Sequence, residues 1–128
     1  MQVRTGEPAV QECAQPRARV VLDLVGDKWS LLVVRSLRDG PRRFTEIKRD
    51  VAGVSQRMLT VTLRGLERDG ILTRTVRAVM PPHVSYELTE LGATLREAVM
   101  PLLEWSVTHL ERIDAARAAY DARPAGAG

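Results

Sequence analysis

Four side chains in one short stretch have the chemistry to read the edges of base pairs: Gln56, Arg57, Thr60 and Arg64, with Ser55 just ahead of them. Arg pairs in bidentate fashion with guanine, Gln with adenine, and Ser or Thr takes either a base or a phosphate. To act together they must share one face of a helix. Residues 53–70, G-V-S-Q-R-M-L-T-V-T-L-R-G-L-E-R-D-G, carry the start, the stop and the two unlike faces of such a helix. Ser55 is a good N-cap, because its hydroxyl accepts from an otherwise unpaired amide of the first turn. Gly70 suits the left-handed residue that ends helices. Between them Leu59, Leu63 and Leu66 recur at i, i+4 and i+7 as a single apolar stripe, flanked by Met58 and Thr62. The other face holds Gln56, Arg57, Thr60, Val61, Arg64 and Arg68, and the acidic Glu67 and Asp69 fall only in the last turn.

Taken alone, this stretch reads more readily as an ordinary surface helix. The residues that follow change the weight. Residues 72–77 are a β-prone run, Met80-Pro81-Pro82-His83 is a turn, and residues 84–88 are a second β-prone run. Helix, strand, turn, strand is the order of a winged helix-turn-helix. In that arrangement the helix enters a major groove and the hairpin lies along the neighbouring backbone or minor groove.

The elements that must position this unit are also legible. Residues 1–15 are polar and irregular and read as a flexible arm. Pro16 fits the first turn of a helix, with Val20, Val21, Leu24 and Val25 as its buried face and Gly26 as its end. Asp27 is an expected cap for a second helix that turns Trp29, Leu32, Val33 and Leu37 inward and closes at Gly40-Pro41. Residues 44–51 form a short third element with Thr45 as its expected N-cap, Ile47 and Val51 facing the core, and Lys48 and Arg49 facing out. After the wing, Thr89 is an expected cap for a helix whose apolar positions hold a helical period from Leu91 to Ile113. Pro101 is expected to kink that helix or divide it in two. A stripe so long exceeds what the domain needs for its own core. Its C-terminal half, with Leu103, Trp105 and Leu110, is expected to pack on a second copy of the chain; folding back on the first helix of the same subunit is the competing arrangement. The fold class is therefore mostly α with a small β-hairpin wing. Residues 16–92 form the DNA-binding domain, 93–120 the dimerisation helices and 121–128 a flexible tail.

Bulk properties bound the function. The chain has 128 residues, one domain's worth, with 45% hydrophobic and 27% charged side chains, ordinary for a soluble globular protein. Its net charge is +3, unevenly placed: residues 42–77 hold nine Lys/Arg against four Asp/Glu, and residues 89–128 hold four against six. A basic centre beside an acidic tail points to a polyanionic partner for the centre. No apolar run reaches membrane-spanning length, no signal peptide is evident at the N-terminus, and the expected location is the cytoplasm. One cysteine excludes an internal disulfide framework. That cysteine and two histidines, His83 and His109, are scattered without the spacing zinc sites use, so no metal or cofactor is expected. Nor is there a Gly-rich phosphate loop or an ordered nucleophile and base, so the chain is not read as an enzyme.

The chain resembles the HxlR family of bacterial winged helix-turn-helix regulators, relatives of the MarR group. The resemblance spans residues 20–105. It rests on G-D-K-W-S-L-L (26–32), D-G-P-R-R-F-T-E-I (39–47), G-V-S-Q-R-M-L-T (53–60), L-E-R-D-G-I-L (66–72), P-P-H-V-S-Y-E-L-T-E-L-G (81–92) and the later Trp105. It implies homodimers joined through the N-terminal helix (here Val20 and Leu24) and the C-terminal helices. Such dimers bind pseudo-palindromic promoter sites and usually repress. It also implies that Ser55, Gln56, Arg57 and Thr60 face the groove and that residues 73–86 form the wing. Three positions depart from the family pattern. His83 stands where wings often carry Arg or Lys. Gly65 interrupts the reading helix. The family's frequent sensor cysteine is replaced by Pro16, with Cys13 about one turn earlier.

Cys13 lies near Arg17 and Arg19, cations that favour a thiolate, which makes it a candidate redox sensor; an unreactive thiol in a mobile arm is the reading favoured by its offset. Any other effector, small molecule or oxidant, is unidentified. The expected function is sequence-specific binding of double-stranded DNA by a homodimer. Ser55, Gln56, Arg57, Thr60 and Arg64 are the base-reading candidates. Lys48, Arg49, Arg68, Arg74, Arg77 and His83 are the backbone and wing candidates. The competing reading is a winged-helix module that docks another protein, against which the basic centre argues.

Overall fold

In the computed structural model, residues 27–125 are described, together with Arg19 and Asp23. The expected arm with Cys13, the start of the first helix at Pro16 and its face of Val20, Val21, Leu24 and Val25 lie outside the described residues.

Helix α1 spans Lys28–Ser36. Asp27 caps it as expected: one carboxylate oxygen accepts from the Trp29 amide at 3.0 Å and the other from the Ser30 hydroxyl at 3.0 Å. Val33, Val34 and Leu37 are fully buried, and Trp29 and Leu32 pack on the core from its margin. A two-residue strand β1, Arg42–Arg43, leads directly into helix α2, Phe44–Asp50. The N-cap here is Arg43, not Thr45. Because β1 holds the chain extended up to Arg43, the helix starts earlier, and the Glu46 carboxylate reaches back to accept from the Arg43 amide at 2.9 Å. Ile47 and Val51 are buried, while Lys48 and Arg49 are exposed.

Helix α3 spans Gln56–Arg68. Ser55 caps it, accepting from the Met58 amide at 3.0 Å. It ends as its sequence indicates, with Gly70 at φ +76°. The Gly70 amide donates to the Glu67 carbonyl at 3.1 Å and the Ile71 amide to the Leu66 carbonyl at 2.9 Å, the paired bonds of a Schellman motif. Leu59, Leu63 and Leu66 are 0%, 2% and 1% exposed, so the leucine stripe is the back of the helix. Thr62 is buried beside it.

Strands β2 (Leu72–Arg77) and β3 (His83–Leu88) form the hairpin, and β1 adds to the outer edge of β3, giving the antiparallel order β1-β3-β2. The third strand has no sequence signal of its own, since two arginines after Gly-Pro carry no β pattern; pairing with β3 creates it. The register sets Leu72 opposite Leu88, Arg74 opposite Tyr86, Val76 opposite Val84 and Arg77 opposite His83. Because side chains alternate between faces, the first three pairs share one face and Arg77–His83 lies on the other.

Helix α4 spans Glu90–Asp121, 32 residues without interruption. Pro101 does not divide it. Proline removes one intrahelical hydrogen bond, to the carbonyl four residues back, but Glu97 and Pro101 are both exposed, where water can satisfy that carbonyl. Thr89 caps α4, accepting from the Gly92 amide at 3.0 Å. Its hydroxyl also donates to the Gly70 carbonyl and its amide to the Ile71 carbonyl, the latter at 3.0 Å. Farther along, the Arg96 guanidinium donates to the Arg38 carbonyl at 3.1 Å, tying α4 to the end of α1.

Two helical glycines have opposite status. A Cβ on Gly92 would overlap the Ile71 carbonyl oxygen and crowd Leu88, whereas one on Gly65 meets nothing within 4 Å among the described residues. Gly92→Ala should therefore lower stability by about 1–3 kcal/mol, the usual cost of overpacking. Gly65→Ala should raise it by about 0.5–1 kcal/mol by removing the backbone entropy of a mid-helix glycine. Urea unfolding with an unchanged m-value checks both; equal effects of the two substitutions would contradict this packing of α4 on Ile71.

Candidate nucleic-acid interface

The residues expected to meet DNA lie on the side of the molecule built by α2, α3 and the hairpin. Helix α2, the turn around Gly53 (φ +87°) and α3 make the helix-turn-helix. The leucine back of α3 and buried Val54 seat it against the core, which leaves Gln56, Arg57, Val61, Arg64 and Arg68 exposed. Thr60 is half-buried, and its hydroxyl donates to the Gln56 carbonyl at 2.8 Å. Its proton is thus engaged by the helix, and what it offers outward is a methyl group and acceptor lone pairs. Lys48 and Arg49 project from α2.

The electrostatics of this side are distinctive. The ion pairs found among the described residues are Arg38–Asp39 at 3.5 Å and Arg42–Asp50 at 3.7 Å. Neither involves Lys48, Arg49, Arg57, Arg64, Arg68, Arg74 or Arg77. These cations face solvent with no internal carboxylate partner, the state in which phosphate contacts replace loosely held water and counterions.

Between α3 and the hairpin runs an open groove of about 410 Å³, lined by Thr60, Leu63, Arg64 and Glu67 from the helix and by Arg74 and Tyr86 from the sheet. Sequence alone put Arg64 with the base readers and Arg74 with the wing. Folded, the two share this groove, with Glu67 beside them. Tyr86 is half-buried and lines the same groove opposite Arg74. Alternation could have suggested this, since Tyr86 lies two residues from Leu88 on the inward face. Arg77 is separated from Arg74 by the pleat. It sits with half-buried His83 on the other face of the hairpin, nearer its tip.

The remaining candidates lie on α4. Leu103 is half-buried, but Trp105 and Leu110 are 53% and 54% exposed, as are Leu102 at 44% and Val107 at 79%. Trp105 stacks on His109 with ring centroids 4.6 Å apart. Among the described residues there is no group of three or more His, Cys, Asp or Glu able to hold a metal ion, and no helix long and apolar enough to cross a membrane.

A helix-turn-helix beside a β-hairpin is a form shared with known proteins. Residues 24–114 match the HxlR-like helix-turn-helix family. The chain belongs to that family. It is 38% identical over 116 residues to the HTH-type transcriptional regulator YtfH of Escherichia coli (strain K12), covering 91% of this chain and 90% of that protein. The solved structure of the transcriptional regulator ytfH from Salmonella typhimurium superposes with a TM-score of 0.73 at 41% identity, covering 78% of this chain and 89% of that one. The redox regulator HypR in its oxidised form superposes with a TM-score of 0.67 at 41% identity, covering 72% and 95%. The chain is thus a DNA-binding transcriptional regulator of the winged helix-turn-helix type, and its family is one of regulators, not of enzymes.

Ser55 allows the capping and DNA roles at the head of α3 to be separated. Asp caps as well as Ser does, so Ser55→Asp should hold folding stability within about 0.5 kcal/mol. It also sets a negative charge at the edge of the groove-facing surface, and DNA affinity should fall by about tenfold or more. Thermal unfolding and a DNA titration on the same variant check this; unchanged affinity would place Ser55 away from the DNA.

Proposed function

We propose that the chain acts as a homodimeric repressor on a pseudo-palindromic promoter site in the cytoplasm. The observation that carries the DNA-reading assignment is the outward face of α3, whose Gln56, Arg57 and Val61 are exposed and whose guanidiniums have no carboxylate partner among the described residues. Gln56 and Arg57, nearest the N-terminus of the helix, read base edges. Thr60 and Val61 offer methyl groups of the kind that contact thymine. Arg64 and Arg74 flank the groove between helix and wing and hold the sugar-phosphate strand that separates the major groove from the minor groove. Lys48, Arg49, Arg68 and Arg77 add phosphate contacts, and His83 sits at the wing.

Dimerisation is supported by α4. The helix is about 48 Å long at 1.5 Å per residue, yet its only fully buried residues are Gly92 and Val99, both in its first third. Beyond Val99 it presents Leu102, Trp105, Val107 and Leu110 to solvent, a run of large apolar side chains that a second copy would cover. Two-fold symmetry then sets the reading helices about 34–36 Å apart, one turn of the duplex. HypR is described as a redox regulator, which supports an oxidant as effector. Comparing DNA release by oxidant in the native chain and in Cys13→Ser decides whether Cys13 is the sensor; equal release removes that role.

The residue assignments predict different outcomes on native and scrambled promoter DNA. Arg57→Ala should cost about 1–3 kcal/mol and relax sequence preference, while Arg74→Ala should weaken all sequences alike and reduce the salt slope by about one. Fluorescence anisotropy at several salt concentrations separates them; uniform weakening by both would contradict the division of roles. Replacing Trp105 and Leu110 together by Glu should give a folded monomer by analytical ultracentrifugation, with full-site affinity down by about 100-fold or more through loss of bivalency. A persistent dimer would move the interface off this face of α4.

A further inference from the structure

The hairpin ends in an apolar tip. Met80 is 95% exposed, and Val76 and Val79 beside it are 53% and 47% exposed. Pro81 and Pro82 follow, both exposed. None of these side chains serves the core, so the fold does not account for them. Their setting is free of acids: Arg77, paired across the strands with His83, closes the last rung below the tip, and no acidic residue occurs anywhere in residues 71–86.

We infer that Met80 is a wedge that enters the minor groove and parts a base step, so that the regulator bends its site. This rests on the wing lying against DNA and adds what its tip does there. Three observations favour a nucleic acid over a protein at this tip. The patch is a few side chains wide, far short of the roughly 800 Å² per partner that a specific protein interface covers. It adjoins the Arg77 rung of a hairpin that has no acidic residue in residues 71–86, so the same polyanion that meets Arg77 reaches the tip. Finally, the Pro81-Pro82 pair limits the backbone freedom of the loop, and the Val79 amide donates to the Arg77 carbonyl at 2.9 Å. The apolar tip is therefore presented with little ordering left to be done on binding. Met and Pro are among the side chains that architectural proteins insert between base pairs. Specificity would follow from which steps part easily, pyrimidine–purine steps above all.

The test uses the full chain and the tightest duplex it selects from a random pool, with donor and acceptor dyes at the duplex ends. The native chain should bend that duplex by about 20–90°. Met80→Ala, at a site exposed enough to leave folding untouched, should lose most of the bend and bind about tenfold more weakly, the size of one or two lost methylene contacts. Its salt slope should match the native one, because no phosphate contact is lost. Met80→Leu should keep both bend and affinity. A single mismatch at the wing-facing step, which is already unstacked, should restore the affinity of Met80→Ala. A native chain that selects a duplex and leaves it straight overturns the wedge alone, as does Met80→Ala binding and bending like the native protein. A native chain that selects no duplex overturns the DNA assignment and the wedge together.

Discussion

The backbone around Ile71 is the constraint on which the rest of the molecule depends. Its amide closes the end of α3 on Leu66, its carbonyl accepts from the Thr89 amide, and Gly92 packs directly against that carbonyl. Three elements therefore meet within one turn of chain: the end of the reading helix, the start of the first wing strand and the start of the long helix. Only glycine at position 92 permits so close an approach. The Thr89 hydroxyl then bonds back to the Gly70 carbonyl while capping α4. The direction of α4 is thereby tied to the direction of α3. In a dimer joined through α4, the separation and tilt of the two reading helices follow from this junction, and a shift at the dimer interface is transmitted to the DNA face without any flexible linker to absorb it.

The basic face represents a second constraint, electrostatic in origin. Guanidiniums left without carboxylate partners repel one another, and self-repulsion of this kind works against the compact state. Inside the domain, by contrast, Arg42 is matched by Asp50, and the Arg96 guanidinium finds the Arg38 carbonyl. The chain thus pairs the cations that brace its elements and leaves unpaired those along α2, α3 and the hairpin. That division suits the proposed phosphate contacts, since a cation already held by a carboxylate would have to give up that partner before meeting phosphate. Glu67 lines the groove with Arg64 and Arg74. It offsets part of the charge there while leaving the head of α3 wholly positive.

Much of this was legible in the sequence because it was encoded locally. Asp27, Ser55 and Thr89 are N-caps with hydrogen bonds that span two or three residues, and Gly70 is a left-handed stop; each was identified by residue type alone. The leucine stripe of α3 follows from helical period. What was not legible depends on partners distant in the chain. Strand β1 exists only because Arg42 and Arg43 pair with Tyr86 and Ser85, and the extended chain this imposes moved the α2 cap from Thr45 to Arg43. Pro101 reads locally as a break, but continuity of α4 is decided by eight further turns of helix and by its exposed setting. Arg64 and Arg74 looked like members of separate groups until the fold placed them across one groove. Met80 looked like part of a turn, since nothing in its neighbours says that its side chain stands clear of the core.

The two faces of α3 show why so much can be read from so short a segment. Its back is fixed by packing: Leu59, Leu63 and Leu66 fill the core, and a polar or smaller residue at any of them would leave a cavity or an unpaired group. Its front carries almost no structural duty. Ser55 and Thr60 are engaged with the helix backbone, but Gln56, Arg57, Val61 and Arg64 make no hydrogen bond or ion pair within the described residues. Substitution there leaves the core intact. The residues that hold the fold and those proposed to read DNA therefore lie on different sides of the same thirteen residues. On the proposed assignment, a scaffold built this way would change its operator by changing a few exposed side chains, while the junction at Ile71 would go on tying the direction of α3 to that of α4.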